Sequence, residues 1–222
     1  MLRRIAAVTA LTLMLVAPAA SSAQSCQTLA GNLVQNCSFE LGNVKNGADY
    51  PNAIVTGWTP LGGPQGGTFE RWTNSFDGFG AKDGNSHIEL QVNGPTIIQQ
   101  IIATNVGQTY DFGFWAAHRP RDKGGFSRID VFLNNSLLIS TGQISLAYQW
   151  QGFNTSFLAT GSETLEFRSM GNQLSFGDFL DNVSVVGDRR VGSSIVPEPS
   201  SFAMMGIGVL LLGFAVRRKR SK

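Results

Sequence analysis

Charge and histidine are both scarce in this chain of 222 residues. Asp, Glu, Lys and Arg together make up 14%, and the only histidines are His87 and His118. Neither belongs to a recognisable triad, and "GNSHIE" lacks the HExxH spacing of a zinc protease. Acid-base chemistry would then fall to carboxylates, and a glycosidase needs two of them facing each other across a cleft. Glu70, Asp77, Asp83 and Glu89 are candidates to meet in space, but scattered acids ordinarily solvate a surface, so the chain is read as a non-enzyme. Cysteine is equally rare. Cys26 and Cys37, without a nearby His or a further Cys, make a poor zinc site. Sustained helical periodicity is missing too: no stretch of residues 24–187 keeps an apolar period of 3.6 through three turns, which excludes a helical bundle.

The positive charge is misleading. Arg3, Arg4, Arg217, Arg218, Lys219, Arg220 and Lys222 lie in the terminal segments, and residues 24–196 carry a net charge of about −4. A nucleic-acid partner, which wants a basic face, is not expected.

What is present is ordered along the chain. Arg3 and Arg4 precede an apolar stretch, Ile5 to Val16, and small residues then lead to Ser21-Ser22-Ala23, the pattern of a secretory signal peptide over residues 1–23. In an oxidising compartment the Cys26–Cys37 pair is expected to close, stapling the first strand to the segment before it. Residues 24–187 are long enough for one folded domain. Residues 188–196 read as a linker, and residues 197–222 form a separate tail.

Within the domain, short strand-like segments recur between turn signals. "SHIELQV" places Ile88, Leu90 and Val92 on one face and His87, Glu89 and Gln91 on the other, the alternation of a half-buried strand. "TYDFGFWAAH" puts Tyr110, Phe112, Phe114 and Ala116 on one face. "SRIDVFLNNSLLIS" reads as a hairpin, with Ile129, Val131 and Leu133 inward and Asn134-Asn135 at the bend. About ten such strands with Gly-rich connections predict an all-β fold, a two-sheet sandwich.

The tail joins Pro197-Glu198-Pro199 to an uncharged run over about 200–216, at the lower limit for a transmembrane helix, and then to Arg217, Arg218, Lys219 and Arg220. These three parts in this order resemble the PEP-CTERM sorting signal of Gram-negative bacteria. The resemblance implies an exosortase-type processing enzyme as partner, at least transient residence in the inner membrane, and a final address at the cell surface or outside it.

"NLVQNCSFELG", "GWTP", "DGNSHIELQ", "IIQQIIATNVGQTYDFGFWAAHRP", "FLATGSETLEFRSMG" and "FLDNVSVVG" follow one another from Asn32 to Gly187. In that order they resemble the galactose-binding-like jelly-roll β-sandwiches, and within them the carbohydrate-binding-module-like domain of choice-of-anchor bacterial proteins and of a plant cell-wall family. Cys37 stands where that family more often has Gly. The resemblance implies a structural calcium where the first and last strands meet. Glu40 and Asp181 match those positions and the Asp83-Gly84 turn adds oxygens, although turn amides are an alternative partner for both carboxylates. It also assigns Trp58 to packing.

Sugar recognition requires aromatic faces and planar polar groups on an exposed cleft. Trp72, Trp115 and Trp150 are the candidates for the former. Arg119 and Arg121, with Lys123 in the loop "HRPRDKGGFSR", are candidates for pairing with the carboxylates of an acidic polysaccharide, against the alternative of a solvated loop. The reading is an exported, non-enzymatic module binding extracellular or envelope polysaccharide. A structural surface or biofilm-matrix protein is the alternative, and a polysaccharide-active enzyme comes last.

Overall fold

A computed structural model of the chain describes residues 24–42, 55–62, 68–74, 78–92, 94–119, 128–144, 148–171 and 177–187. The signal peptide (1–23), Asp77, Arg121, Lys123, the linker (188–196) and the sorting segment (197–222) lie outside the described residues.

Ten strands are present: β1 (Thr59–Gly62), β2 (Thr68–Thr73), β3 (Ser86–Val92), β4 (Ile97–Ala103), β5 (Thr109–His118), β6 (Ile129–Leu133), β7 (Ser136–Ser140), β8 (Gln151–Leu158), β9 (Ser162–Ser169) and β10 (Asp178–Gly187). They pair antiparallel into two five-stranded sheets, ordered β1-β4-β9-β6-β7 and β2-β3-β10-β5-β8. The expected sandwich is therefore present.

Alternation along the strands builds the core. Tyr110, Phe112, Phe114 and Ala116 of β5 are buried, as are Ile129 and Val131 of β6 and Ile88 and Leu90 of β3. The β3 and β5 residues meet those of β6, together with Leu165 and Phe167 of β9, from the other sheet in one apolar cluster. Trp58 packs between Phe39 (5.4 Å) and Phe167 (5.8 Å), as the family resemblance implied. The bend between β6 and β7 places Asn134 and Asn135 at φ values of 50° and 65°, the left-handed pair that a tight hairpin turn needs.

Residues 24–42 contain no strand, so the disulfide does not attach one. Cys26 and Cys37, bonded with Cα atoms 6.1 Å apart, close a loop of turns that docks on β10. The Asn32 carboxamide accepts the Val185 amide (2.9 Å) and Val183 donates to the Cys37 carbonyl (2.9 Å). Asn182, at φ 49°, forms a bulge that shifts the β10–β5 register between Asp181 and Ser184. Side-chain hydrogen bonds to distant parts of the chain hold the segment in place, because it lacks the alternating apolar residues of a strand.

Candidate ligand-binding face

Because Phe112, Phe114 and Ala116 point inward, Asp111, Gly113, Trp115 and Ala117 point to the outer face of the β2-β3-β10-β5-β8 sheet. Register across β8 sets Asp111 beside Ser156, Gly113 beside Asn154 and Trp115 beside Gly152, and Ser184 of β10 lies beside Gly113 on the other side. Asp111, Gly152, Asn154 and Ser156 are exposed, while Gly113, Trp115 and Ser184 are half-buried. The result is a shallow strip with an indole at one end and hydroxyl, carboxamide and carboxylate groups beyond it.

Glycine 152 explains how the indole lies. A Cβ there would come within 3.2–3.4 Å of three carbons of the Trp115 ring, so the ring lies against the strand where a side chain would otherwise stand. The Lys82 ammonium sits 3.9 Å from the ring centroid. Its position follows from a buried anchor: the Asp181 carboxylate accepts the amides of Lys82 (2.7 Å), Asp83 (2.9 Å) and its own neighbour Asn182 (2.6 Å). Burial pushes the Asp181 carboxyl well above the usual carboxylate range, and the nearby Asp83 charge adds to this against the three amides.

The other half of the same face is closed. Trp72, Phe79, Ala117 and Phe179 form a second apolar cluster with Tyr148 and Trp150 at its margin. His87, Glu89 and Gln91, on what was expected to be the wetter face of β3, are 0–1% exposed. The alternation of β3 distinguishes its two faces correctly, but Phe79 and Trp150 cover the second one. Trp72 is fully buried, with the Arg119 guanidinium 4.4 Å from its ring centroid and its indole N–H donated to Glu70 (3.0 Å). It offers no face to a ligand, which corrects the expectation for that residue. Trp150 stacks on Phe79 at 5.2 Å and donates its N–H to the Gly80 carbonyl (2.9 Å).

Arg119 is likewise committed, since it forms an ion pair with Glu89 at 3.0 Å. Gly177 donates its amide to the same carboxylate (2.6 Å), and Glu70, its cross-strand partner, hydrogen-bonds it as well. Burial pushes the Glu89 carboxyl up despite Arg119 and these bonds. Glu70 and Glu89 thus do meet in space, but in hydrogen-bonding contact. The two carboxyls of a glycosidase stand at least about 5 Å apart to admit the reacting sugar. His87 is ringed by Phe179 (4.9 Å), Phe79 (5.5 Å), Trp150 (5.5 Å) and Trp72 (5.9 Å), and neither ring nitrogen has a hydrogen-bond partner among the described residues. Burial brings its pKa down to about 3.

Glu40, Asp83 and Asp181 all lie around the docked N-terminal segment. Glu40 accepts the amides of Asn85 and Ser86, each at 2.7 Å, and Asp83 accepts Cys26 N–H and the Ser25 hydroxyl, each at 2.9 Å. Among the described residues no three His, Cys, Asp or Glu side chains converge into a metal-holding group. Calcium wants six to eight oxygens with free lone pairs. The donor chemistry here is that of carboxylates gripping turn amides, and the three side chains do not by themselves fit the ion. A cavity of about 300 Å³ is lined by residues between Cys26 and Leu41.

Trp115 stands out in the sequence, whereas Lys82, Asp111, Asn154, Ser156 and Ser184 are brought beside it only by the fold. A partial signal is there in "QGFNTSF", where Gly152, Asn154 and Ser156 alternate with Phe153, Thr155 and Phe157 as a strand with one polar face.

Residues 196–220 match the PEP-CTERM protein-sorting motif. No curated protein matches the chain. Among solved structures, TmCBM61 in complex with β-1,4-galactotriose is similar with a TM-score of 0.50 at 14% identity, covering 71% of this chain and 99% of that one. The K1 cleaved adhesin domain of Lys-gingipain from Porphyromonas gingivalis W83 is similar at 0.48 and 15% identity, over 67% of this chain and 94% of the other. A family 16 carbohydrate-binding module is similar at 0.45 and 18%, over 70% and 99%. The chain carries a PEP-CTERM sorting motif, which implies export and exosortase-type processing at the envelope, behind a domain with the jelly-roll fold of a carbohydrate-binding module.

Proposed function

We propose that the domain is a non-catalytic glycan-binding module whose ligand lies along the outer face of β5, β8 and β10. The observation that carries this reading is the Trp115 indole lying flat over Gly152 beside an exposed polar strip. A pyranose presents C–H groups on one face and hydroxyls around its rim. An indole face can bury the first, while Asn154, Ser156, Ser184 and Asp111 can bond the second. Gly152 seats the indole and Gly113 adds no side chain of its own beyond it, so a chain of sugars can lie flat. The carboxyl pair that a glycosidase would need is absent from this strip among the described residues, and Glu89, with Glu70 hydrogen-bonded to it, is buried elsewhere. The sorting motif then delivers this module to the envelope or beyond it, where polysaccharide is the available partner.

Retention of the full chain on a panel of immobilised polysaccharides tests the reading. At least one should retain it, and Trp115→Ala should weaken that retention at least tenfold, equivalent to about 1.4 kcal/mol, with the circular dichroism spectrum unchanged. A chain retained by none, or a Trp115→Ala variant retained as well as the parent, overturns it.

A further inference from the structure

Resting on that reading, we infer that the face selects an acidic sugar, with the Lys82 ammonium pairing to a carboxylate of the unit stacked on Trp115. The cations of the described residues are Arg71, Lys82, Arg119, Arg128 and Arg168. Arg71 donates to the carbonyls of Phe39 (2.6 Å) and Glu40 (2.7 Å). Arg119 pairs with Glu89, Arg128 with Asp130 (2.9 Å) and Arg168 with Glu166. Among the described residues only Lys82 has no carboxylate or carbonyl partner for its charge, and it rests on the exposed side of the indole, 3.9 Å from the centroid.

The placement is built into the fold. Asp181 holds the Lys82 and Asp83 amides from below, and the Asp83 carboxylate holds Ser25 and Cys26, so the turn carrying Lys82 is tied to both β10 and the disulfide loop. A neutral sugar that stacks on Trp115 must push the ammonium off the ring and offers it only uncharged hydroxyl oxygens in return. A carboxylate-bearing sugar replaces that cation–π contact with an ion pair, so displacement itself discriminates between the two. The other carboxylates of the neighbourhood do not cancel the effect. Asp181 and the paired oxygen of Asp83 are turned into their amides. Asp111 lies four residues along β5, roughly 13 Å from Trp115, beyond the screening length of about 8 Å at physiological salt. It reaches the hydroxyls of a neighbouring unit instead.

The experiment compares polygalacturonate, alginate and polyglucuronate with their fully methyl-esterified forms, which keep the backbone and remove the charge, using the full chain, Lys82→Gln and Trp115→Ala. At least one polyuronate should bind the parent at least tenfold more tightly than its ester, with the difference shrinking as salt is raised. Lys82→Gln should bring acid and ester within twofold of each other, and Trp115→Ala should weaken both. A parent that binds ester as well as acid, or a Lys82→Gln variant that keeps the preference, overturns the inference. If only a neutral polysaccharide is retained, and retention depends on Trp115, acidic selection falls while glycan binding stands. If nothing is retained, or Trp115→Ala changes nothing, both fall. The acid-to-ester ratio of the parent is readable even if the Lys82 variant does not fold.

Discussion

The two halves of one sheet face make the instructive contrast. Over β2, β3 and the start of β10, Trp72 is 0% exposed, and its ring, its N–H and the Arg119 above it are all matched within the protein. Over β5 and β8, Trp115 keeps a half-buried ring whose upper face meets one ammonium. The residue type and the sheet are the same, but Phe79 and Trp150 arrive over the first half and not over the second. An aromatic side chain becomes core or platform according to what the distant loops bring to it.

The largest expected effect breaks that contrast directly. Trp72→Ala empties the centre of the closed half, and such a truncation costs about 3–5 kcal/mol, a fall in Tm of roughly 10 °C or more for a domain of this size. Trp115→Ala should move Tm by about 2 °C at most while abolishing most glycan retention. Thermal scans of both variants beside the retention assay check this. Equal losses of stability would show that the two halves are one core.

The closed half also carries a cost that the open half lacks. His87 sits neutral among four rings, and its unpaired nitrogens are expensive in an apolar setting, about 1–3 kcal/mol for an unsatisfied group. Its folded pKa, about 3, lies below the ordinary histidine value of 6.5. The neutral form therefore stabilises the fold fully above pH 6.5, and that stability is lost as pH falls from there toward 3, by up to about 1.4 kcal/mol per unit. Glu89, pushed upward, changes in the opposite sense as pH falls, so the His87 contribution is read from the difference between parent and His87→Phe. The variant should be about 1 kcal/mol more stable at pH 7, and the gap should widen at pH 5. A constant gap would mean that His87 is not held neutral.

On the open half the expected effects are smaller. Gly152→Ala sets a methyl group 3.2–3.4 Å from the Trp115 ring, which must tilt away from the strand. Polysaccharide retention should fall about threefold, or about 0.7 kcal/mol, with Tm nearly unchanged. Unchanged retention would show that the flat seating of the indole is not what the ligand uses.

These contrasts also mark what can be read from residues alone. Strands β3 and β5 and the Asn134-Asn135 turn are visible in sequence, because period-two alternation and left-handed turn residues are local properties. The disulfide was legible for a similar reason, having only two cysteines to pair. The covering of His87, Glu89 and Gln91 was not, since alternation separates the faces of a strand without saying what lies on either. Arg119 looked like part of an exposed basic loop because its partner, Glu89, is thirty positions away in the chain. Lys82 is not legible for the same reason, since Asp181, which holds its amide, lies ninety-nine positions away.

The junction beneath Lys82 supplies the smallest expected effect. The resemblance to calcium-holding jelly rolls placed an ion among Glu40, Asp83 and Asp181, yet amide and hydroxyl hydrogens already point at these carboxylates. A cation approaching the same oxygens meets the positive ends of those dipoles. If calcium nevertheless bound at one hundred times its Kd, it would add about 2.7 kcal/mol, a rise in Tm of roughly 5–10 °C. Thermal scans in calcium and in EGTA should instead agree within about 1 °C, because the amides already do for these carboxylates what the ion would do. A shift of several degrees would show that backbone carbonyls complete a site the side chains do not make alone, and that the anchor holding Lys82 over Trp115 is under calcium control.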